Sequence, residues 1–169
     1  MLSAILSKKA CAECKFCCSF RRKSLWETPL FTENEMQKLS QKFPAAKFRR
    51  IKMAEQTDEN IYTIDLCSAY KTDDSEEEAP CPFLDTHSGC MLSKEDKPFD
   101  CSIWPLRAMI KEGKTILALT PSCKEINKLT TDEVKAFVNS SGLKKLILET
   151  AEKNPSMIKD WKENFIDLS

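Results

Sequence analysis

The chain has 169 residues, 41% of them apolar and 31% charged, and its 26 Lys plus Arg balance 26 Asp plus Glu. That length suits one domain with a core of its own, and the composition excludes wholesale disorder. With a net charge of zero there is no global basic excess of the kind a nucleic-acid binder carries, so no nucleic acid is expected as a partner.

The opening run, Met-Leu-Ser-Ala-Ile-Leu-Ser-Lys-Lys, is too short for a signal peptide, and its charges follow the apolar residues instead of preceding them. No run approaches the ~18 apolar residues that a transmembrane helix needs. No membrane insertion is expected, and the chain reads as cytoplasmic. In that compartment thiols stay reduced, and clustered cysteines more often bind metal or do redox chemistry than form structural disulfides. The cysteines number 9, an odd count that fits poorly with a complete disulfide framework.

The first feature in chain order is Cys11-Ala-Glu-Cys14-Lys-Phe-Cys17-Cys18, four cysteines in eight residues. Two residues between cysteines let both sulfurs turn towards one metal, and C-x2-C-x2-C repeats that step, as in the bacterial ferredoxin run. Cys17 and Cys18 are adjacent, and neighbouring side chains diverge in most backbone conformations. Either one of them is not a ligand, or the two serve different metals or a polynuclear cluster. Six basic residues, Lys8, Lys9, Lys15, Arg21, Arg22 and Lys23, flank the run. They read as a solvated charged face and, compatibly, as cations that offset thiolate charge.

Residues 32–43 predict a helix, with Thr32 and Glu35 as a capping box, Met36, Leu39 and Phe43 as its apolar face, and Pro44 beyond its end. The basic stretch 47–53 leads towards a strand. Residues 61–66 predict a half-buried strand with Tyr62, Ile64 and Leu66 on one face, and Cys67 follows it. The acidic run 72–80 reads as an exposed loop. It lacks the spaced oxygen ligands and glycine of an EF-hand.

Residues 81–105 are turn-rich: Cys81-Pro-Phe-Leu, Ser88-Gly-Cys90, then Lys97-Pro-Phe-Asp-Cys101-Ser-Ile-Trp-Pro105. Stretches 106–110 and 115–120 flank Glu112-Gly113 and predict a β-hairpin whose return carries Cys123 back towards Cys101. The last third reads as helical. Thr130 and Glu133 form a second capping box before Val134, Phe137 and Val138, Ser140-Ser-Gly142 interrupts, and Leu143, Leu146 and Ile147 continue to about 153. Pro155 opens a final amphipathic stretch with Met157, Ile158, Trp161 and Phe165.

The candidate partners for the first four cysteines are Cys67, Cys81, Cys90, Cys101 and Cys123. A second C-x2-C, as in a zinc ribbon, is absent. His87 is the one imidazole and reads as an exposed loop residue. The pattern favours an all-thiolate site, either an iron–sulfur cluster or a polythiolate zinc centre. Phe16, Phe20, Phe83, Trp104 and Pro82 would shield such a site from water, or equally serve as ordinary core. The strand-then-helix context of a thioredoxin-type C-x-x-C is not visible. No glycine-rich phosphate loop, catalytic triad or H-E-x-x-H motif occurs.

Taken together, Cys11-x2-Cys14-x2-Cys17-Cys18, Cys81-Pro-Phe-Leu, Gly89-Cys90 and Lys97-Pro98-x2-Cys101-x3-Pro105 resemble the CxxCxxCC, or YkgJ, family of cysteine-cluster proteins. The resemblance covers roughly 8–125. Lys97 and Ser102 stand where that family usually has arginine, and Cys123 precedes Lys-Glu instead of Pro-Gly. The resemblance implies a metal site built from Cys11, Cys14, Cys17, Cys18, Cys81, Cys90, Cys101 and Cys123, with Cys67 as the odd thiol. Flagellin lysine methylases carry a similar cysteine cluster.

The expectation is one small α+β domain over 1–169, with irregular cysteine-rich metal-binding loops, a small antiparallel sheet and C-terminal helices, 130–169 forming a helical extension. The expected function is iron–sulfur binding, for example of a 4Fe–4S cluster, in electron transfer or in support of a redox or protein-modification system, with another protein as partner. The alternatives are a structural zinc module and a protein-modifying methyltransferase related to the flagellin enzymes.

Overall fold

The computed structural model describes residues 2, 5–22, 24–51 and 60–169, Lys8 by its backbone alone. Positions 52 and 53 of the expected basic strand and Lys23 of the basic flank lie outside them. The fold is α+β, with five α-helices and four small sheets among the described residues. The chain divides into two compact units, one formed by Ser7–Cys101 and the other by Met1–Leu6 with Ser102–Ser169.

The first unit opens with helix α1 (Lys8–Cys14), whose N-terminus is capped by Ser7 through its hydroxyl and the Ala10 N–H. Lys15 closes it in the left-handed conformation, φ 53°, with its N–H on the Cys11 carbonyl. A single 3-10 turn, Phe16–Cys18, leads into β1 (Ser19–Arg21). Strand β2 (Leu30–Thr32) ends at the cap of α2 (Glu33–Lys42), where both hydrogen bonds of the predicted capping box form. Strands β3 (Phe48–Ile51) and β4 (Ile61–Ile64) follow, and the sheet order β2-β4-β3 puts β4 in the centre. Ile61 packs with Leu30 and Ile51 in a second apolar cluster, and the Thr63 hydroxyl donates to the Pro29 carbonyl at 2.8 Å, so both are as buried as Ile64 instead of facing water as simple alternation predicts.

The acidic loop is exposed as predicted up to Glu76. Glu77 organises it by accepting the N–H groups of Lys71 and Thr72, and 78–80 then becomes β5 (Glu78–Pro80), antiparallel to β1. Strands β6 (Leu84–Asp85) and β7 (Gly89–Cys90) form a small hairpin. The apolar centre of this unit includes Phe20, Phe31, Leu39, Ile64, Ala79 and Phe83, and Cys81 and Cys90 pack against it. Asp96, nearly buried, holds Lys38 at 2.7 Å and Lys42 at 2.6 Å and so ties the 93–96 turn to α2. The short helix α3 (Phe99–Ile103) runs across the boundary between the units. The cysteine-rich stretches are thus not all irregular, since Cys11, Cys14 and Cys101 lie in helices.

In the second unit, β8 (Leu106–Lys111) and β9 (Lys114–Leu119) form the predicted hairpin. Glu112 at φ 51° and Gly113 at φ 75° make the two-residue turn whose twist suits paired strands. Helix α4 (Thr131–Ser140) carries the second capping box and buries Val134 and Val138. Helix α5 (Leu143–Lys153) packs on β8 and β9 through Leu143, Ile147 and Ala151, leaving Leu146 exposed.

The helical extension expected over 130–169 stops at Lys153. Residues 155–157 make one 3-10 turn, then β10 (Lys159–Asp160) lies parallel to β8 and β11 (Ile166–Asp167) antiparallel to β9. The cause is the hairpin's unpaired outer edges. Their backbone groups need partners, and they receive them from the Trp161 N–H on the Ile110 carbonyl and the Leu168 N–H on the Leu117 carbonyl. The parallel β10–β8 pair makes this sheet mixed, where only antiparallel pairing was expected.

Candidate metal centre

All nine cysteines stand as thiols. Pairing of β1 with β5 carries the Cys81 N–H onto the Cys18 carbonyl at 2.7 Å. Pairing of β6 with β7 then sets Leu84 opposite Cys90. These two backbone events bring Cys17, Cys18, Cys81 and Cys90 into one neighbourhood, although 17 and 81 are far apart in sequence.

Their mutual influence is visible in their acidities. The Cys17 thiol is held well above the ordinary thiol range, first by its hydrogen bond with Cys18, then by burial of its sulfur and the proximity of Cys18 charge, while Lys97 nearby opposes the shift. As a residue Cys17 is exposed, so the crowding is local to the sulfur. The Cys81 thiol is pushed up to about 12, mainly by burial. A hydrogen bond with the Phe83 backbone partly offsets this, and the proximity of Cys90 and Cys17 adds to it. Metal-free, these thiols are proton-bound. A soft cation would replace those protons.

Cys11 and Cys14 are exposed on α1, one helical turn apart. The helix is held against β7 by a close approach. A Cβ added to Gly89, itself at φ +81°, would lie 2.8 Å from the Ala12 Cβ. The Lys15 ammonium also donates to the Thr86 carbonyl. Cys101 is exposed on α3, whose neighbour Asp100 accepts the Leu30 N–H at 3.3 Å. Cys123 is half-buried and belongs to the second unit. Cys67 sits apart, after β4, where its N–H and thiol both bond the Asp65 carboxylate. His87 is exposed in the β6–β7 turn, where the Asp85 carboxylate accepts its N–H.

Of the expected aromatic shield, Phe20 and Phe83 are core residues while Phe16 is 55% exposed. Sequence reasoning missed Gly89 as a contact residue and α1 as a helix. Ser7 as a cap before Lys-Lys-Ala-Cys-Ala-Glu was the available signal for the latter.

Among the described residues, no three Cys, His, Asp or Glu side chains stand together in a group that could hold a metal ion. The donor type therefore suits a soft metal, while a closed ligand shell is not drawn together. A scan of protein-family models finds no match, and searches of curated proteins and of solved structures return no significant one. No helix among the described residues is long and apolar enough to cross a membrane.

The acidities also fix how stability of the reduced, metal-free protein depends on pH. Glu77 and Asp85 are each held down to about 2, chiefly by hydrogen bonds from Thr72 and Ser88 respectively. A lowered carboxyl stabilises the fold above its unfolded value, so this contribution is lost as pH falls from 4.5 for Glu77, and from 3.8 for Asp85, towards about 2. The Cys81 thiol is raised, so its contribution is present below 9.0 and lost as pH climbs from 9.0 to about 12. Urea midpoints should therefore fall on both sides of a neutral plateau. Cys81→Ser should make the alkaline arm shallower and leave the acid arm as it is, the raised Cys17 thiol supplying the rest of the alkaline loss, and an unchanged alkaline arm would remove Cys81 as a contributor.

Proposed function

We propose that this chain is a cysteine-cluster protein that binds metal through thiolates, an iron–sulfur cluster foremost and zinc as the alternative, and that it works with another protein in a redox or protein-modification system. The observation that supports this is the gathering of Cys17, Cys18, Cys81 and Cys90 by strand pairing, close enough for their charges to act on one another. The resemblance of the ordered cysteine motifs to the YkgJ family points the same way and extends the candidate ligands to Cys11, Cys14, Cys101 and Cys123. A cluster would supply one-electron transfer, and zinc would supply a structural cross-link. The chain's own residues supply soft donors, a cation at Lys97 that favours the thiolate of Cys17, and a packed wall behind Cys81 and Cys90.

Anaerobic purification followed by a visible spectrum and by iron, sulfide and zinc analysis tests this reading. A brown protein with matching iron and sulfide is expected. A colourless one with stoichiometric zinc and no sulfide selects the zinc alternative, and protein lacking both metals sinks the proposal. Cys14→Ser should lower metal content and stability together. Unchanged metal content would strike Cys14 from the ligands. The methyltransferase alternative predicts S-adenosylmethionine binding by calorimetry.

A further inference from the structure

Helix α1 has 7 residues, and none of its described side chains is fully buried. An isolated helix needs more than about 12 residues to be even marginally stable in water, so α1 owes its order to what it rests on. Two contacts provide that support. At the first, Gly89 leaves open the space that the Ala12 methyl approaches, and an added Cβ would stand 2.8 Å from the Ala12 Cβ and 3.1 Å from its Cα. At the second, the Lys15 ammonium donates to the Thr86 carbonyl, on the turn that leads into β7. Both contacts join α1 to the hairpin that carries Cys90.

We propose that the Ala12–Gly89 contact, latched by Lys15, is a positioning device that seats α1 on the Cys90 strand, so that capture of a thiophilic metal ion at Cys11 and Cys14 depends on the seating. The proposal rests on the metal-binding reading above and adds to it a named control. Cys11 and Cys14 lie a quarter-turn or more of helix away from Ala12, so the contact sets their distance and rotation without occupying their face. Seated, the two thiols are presented before a metal arrives. Unseated, they sit on a fraying terminus, and binding must bear the ordering entropy.

The test is titration of the reduced, metal-free full chain with Cd2+, read by the ultraviolet thiolate-to-metal charge-transfer band. Its height reports how many thiolates bind, whatever the protein's activity. Ala12→Leu adds bulk against Gly89 without straining the helix backbone, and overpacking of that kind should weaken Cd2+ binding about tenfold or more and lower the band. Lys15→Met removes the latch without adding bulk at the contact and should weaken binding about threefold. Glu13→Leu, at an exposed position of the same helix, should leave the titration unchanged.

Wild-type protein that shows no thiolate band overturns the metal reading itself and this proposal with it. A wild type that binds, with Ala12→Leu binding equally well, overturns the positioning role alone. Should Ala12→Leu fail to fold, Lys15→Met decides, and wild-type affinity in that variant refutes the seating.

Discussion

Replacing Phe83 by Ala should cost about 3–5 kcal/mol of folding stability, the usual range for emptying a fully packed phenylalanine site. Phe83 is 1% exposed. Its ring stands edge-on to Phe43 at 5.2 Å and tilted against Phe48 at 6.3 Å, while Phe48 meets Phe31 at 5.2 Å. Four rings from four parts of the chain therefore lock together, and the void left by one cannot be filled by any single neighbour. Natural domains are stable by about 5–15 kcal/mol, so the loss is a large share of the total.

The consequence reaches the thiols. Phe83 lies two residues beyond Cys81, its backbone bonds the Cys81 sulfur, and its carbonyl accepts the Met91 N–H at 2.8 Å, next to Cys90. Losing the ring should loosen both cysteines at once and speed alkylation of Cys81, whose burial now shields its sulfur and raises its thiol above the ordinary range. Urea unfolding followed by circular dichroism checks the first effect, and mass-mapped alkylation the second. Phe16→Ala is the control. That ring is 55% exposed, and its removal should stay within about 0.5 kcal/mol. A Phe83 variant losing less than about 1 kcal/mol would show that the aromatic group is not what holds the thiol wall.

The elements that could be read from the residues are those whose causes are local. Thr32 with Glu35 and Thr130 with Glu133 each carry both halves of a capping box within four residues, and both helices begin where those pairs dictate. Glu112-Gly113 makes its turn with the two residues alone. What could not be read depends on partners distant in sequence. Strand β1 has 3 residues and no periodicity to speak of. It exists because 78–80 lies beside it, and that pairing is what delivers Cys81 to Cys18. Residues 159–160 and 166–167 are strands because β8 and β9 have open edges, although Met157, Trp161 and Phe165 carry a helical rhythm. The thiol neighbourhood has the same character. The density of cysteines over 11–18 marks a candidate site, yet the company that Cys17 keeps is set by two antiparallel pairings that leave no mark in the spacing. Cys67, the odd thiol, is set apart by the Asp65 turn that bonds it.

Gly89→Ala should cost about 2–5 kcal/mol, from two separable causes. The first is conformational: Gly89 lies at φ +81°, where a side chain is strained by about 1–2 kcal/mol. The second is the contact, since the new methyl would meet the Ala12 Cβ at 2.8 Å and helix backbone, the Ala12 Cα, at 3.1 Å. Neither is the yielding end of a long side chain, so α1 must move, and overpacking of this kind adds about 1–3 kcal/mol. Gly113 separates the causes. It has nearly the same φ, +75°, with nothing within 4 Å of an added Cβ, so Gly113→Ala should show the backbone strain alone. The excess of the Gly89 variant over the Gly113 variant is the contact. That excess should be local to α1, appearing as faster amide exchange over 8–15 while the amides of β8 and β9 keep their protection. Equal losses in the two variants, with exchange in α1 unchanged, would mean that the helix gives way freely and that nothing fixes Cys11 and Cys14 against the strand of Cys90.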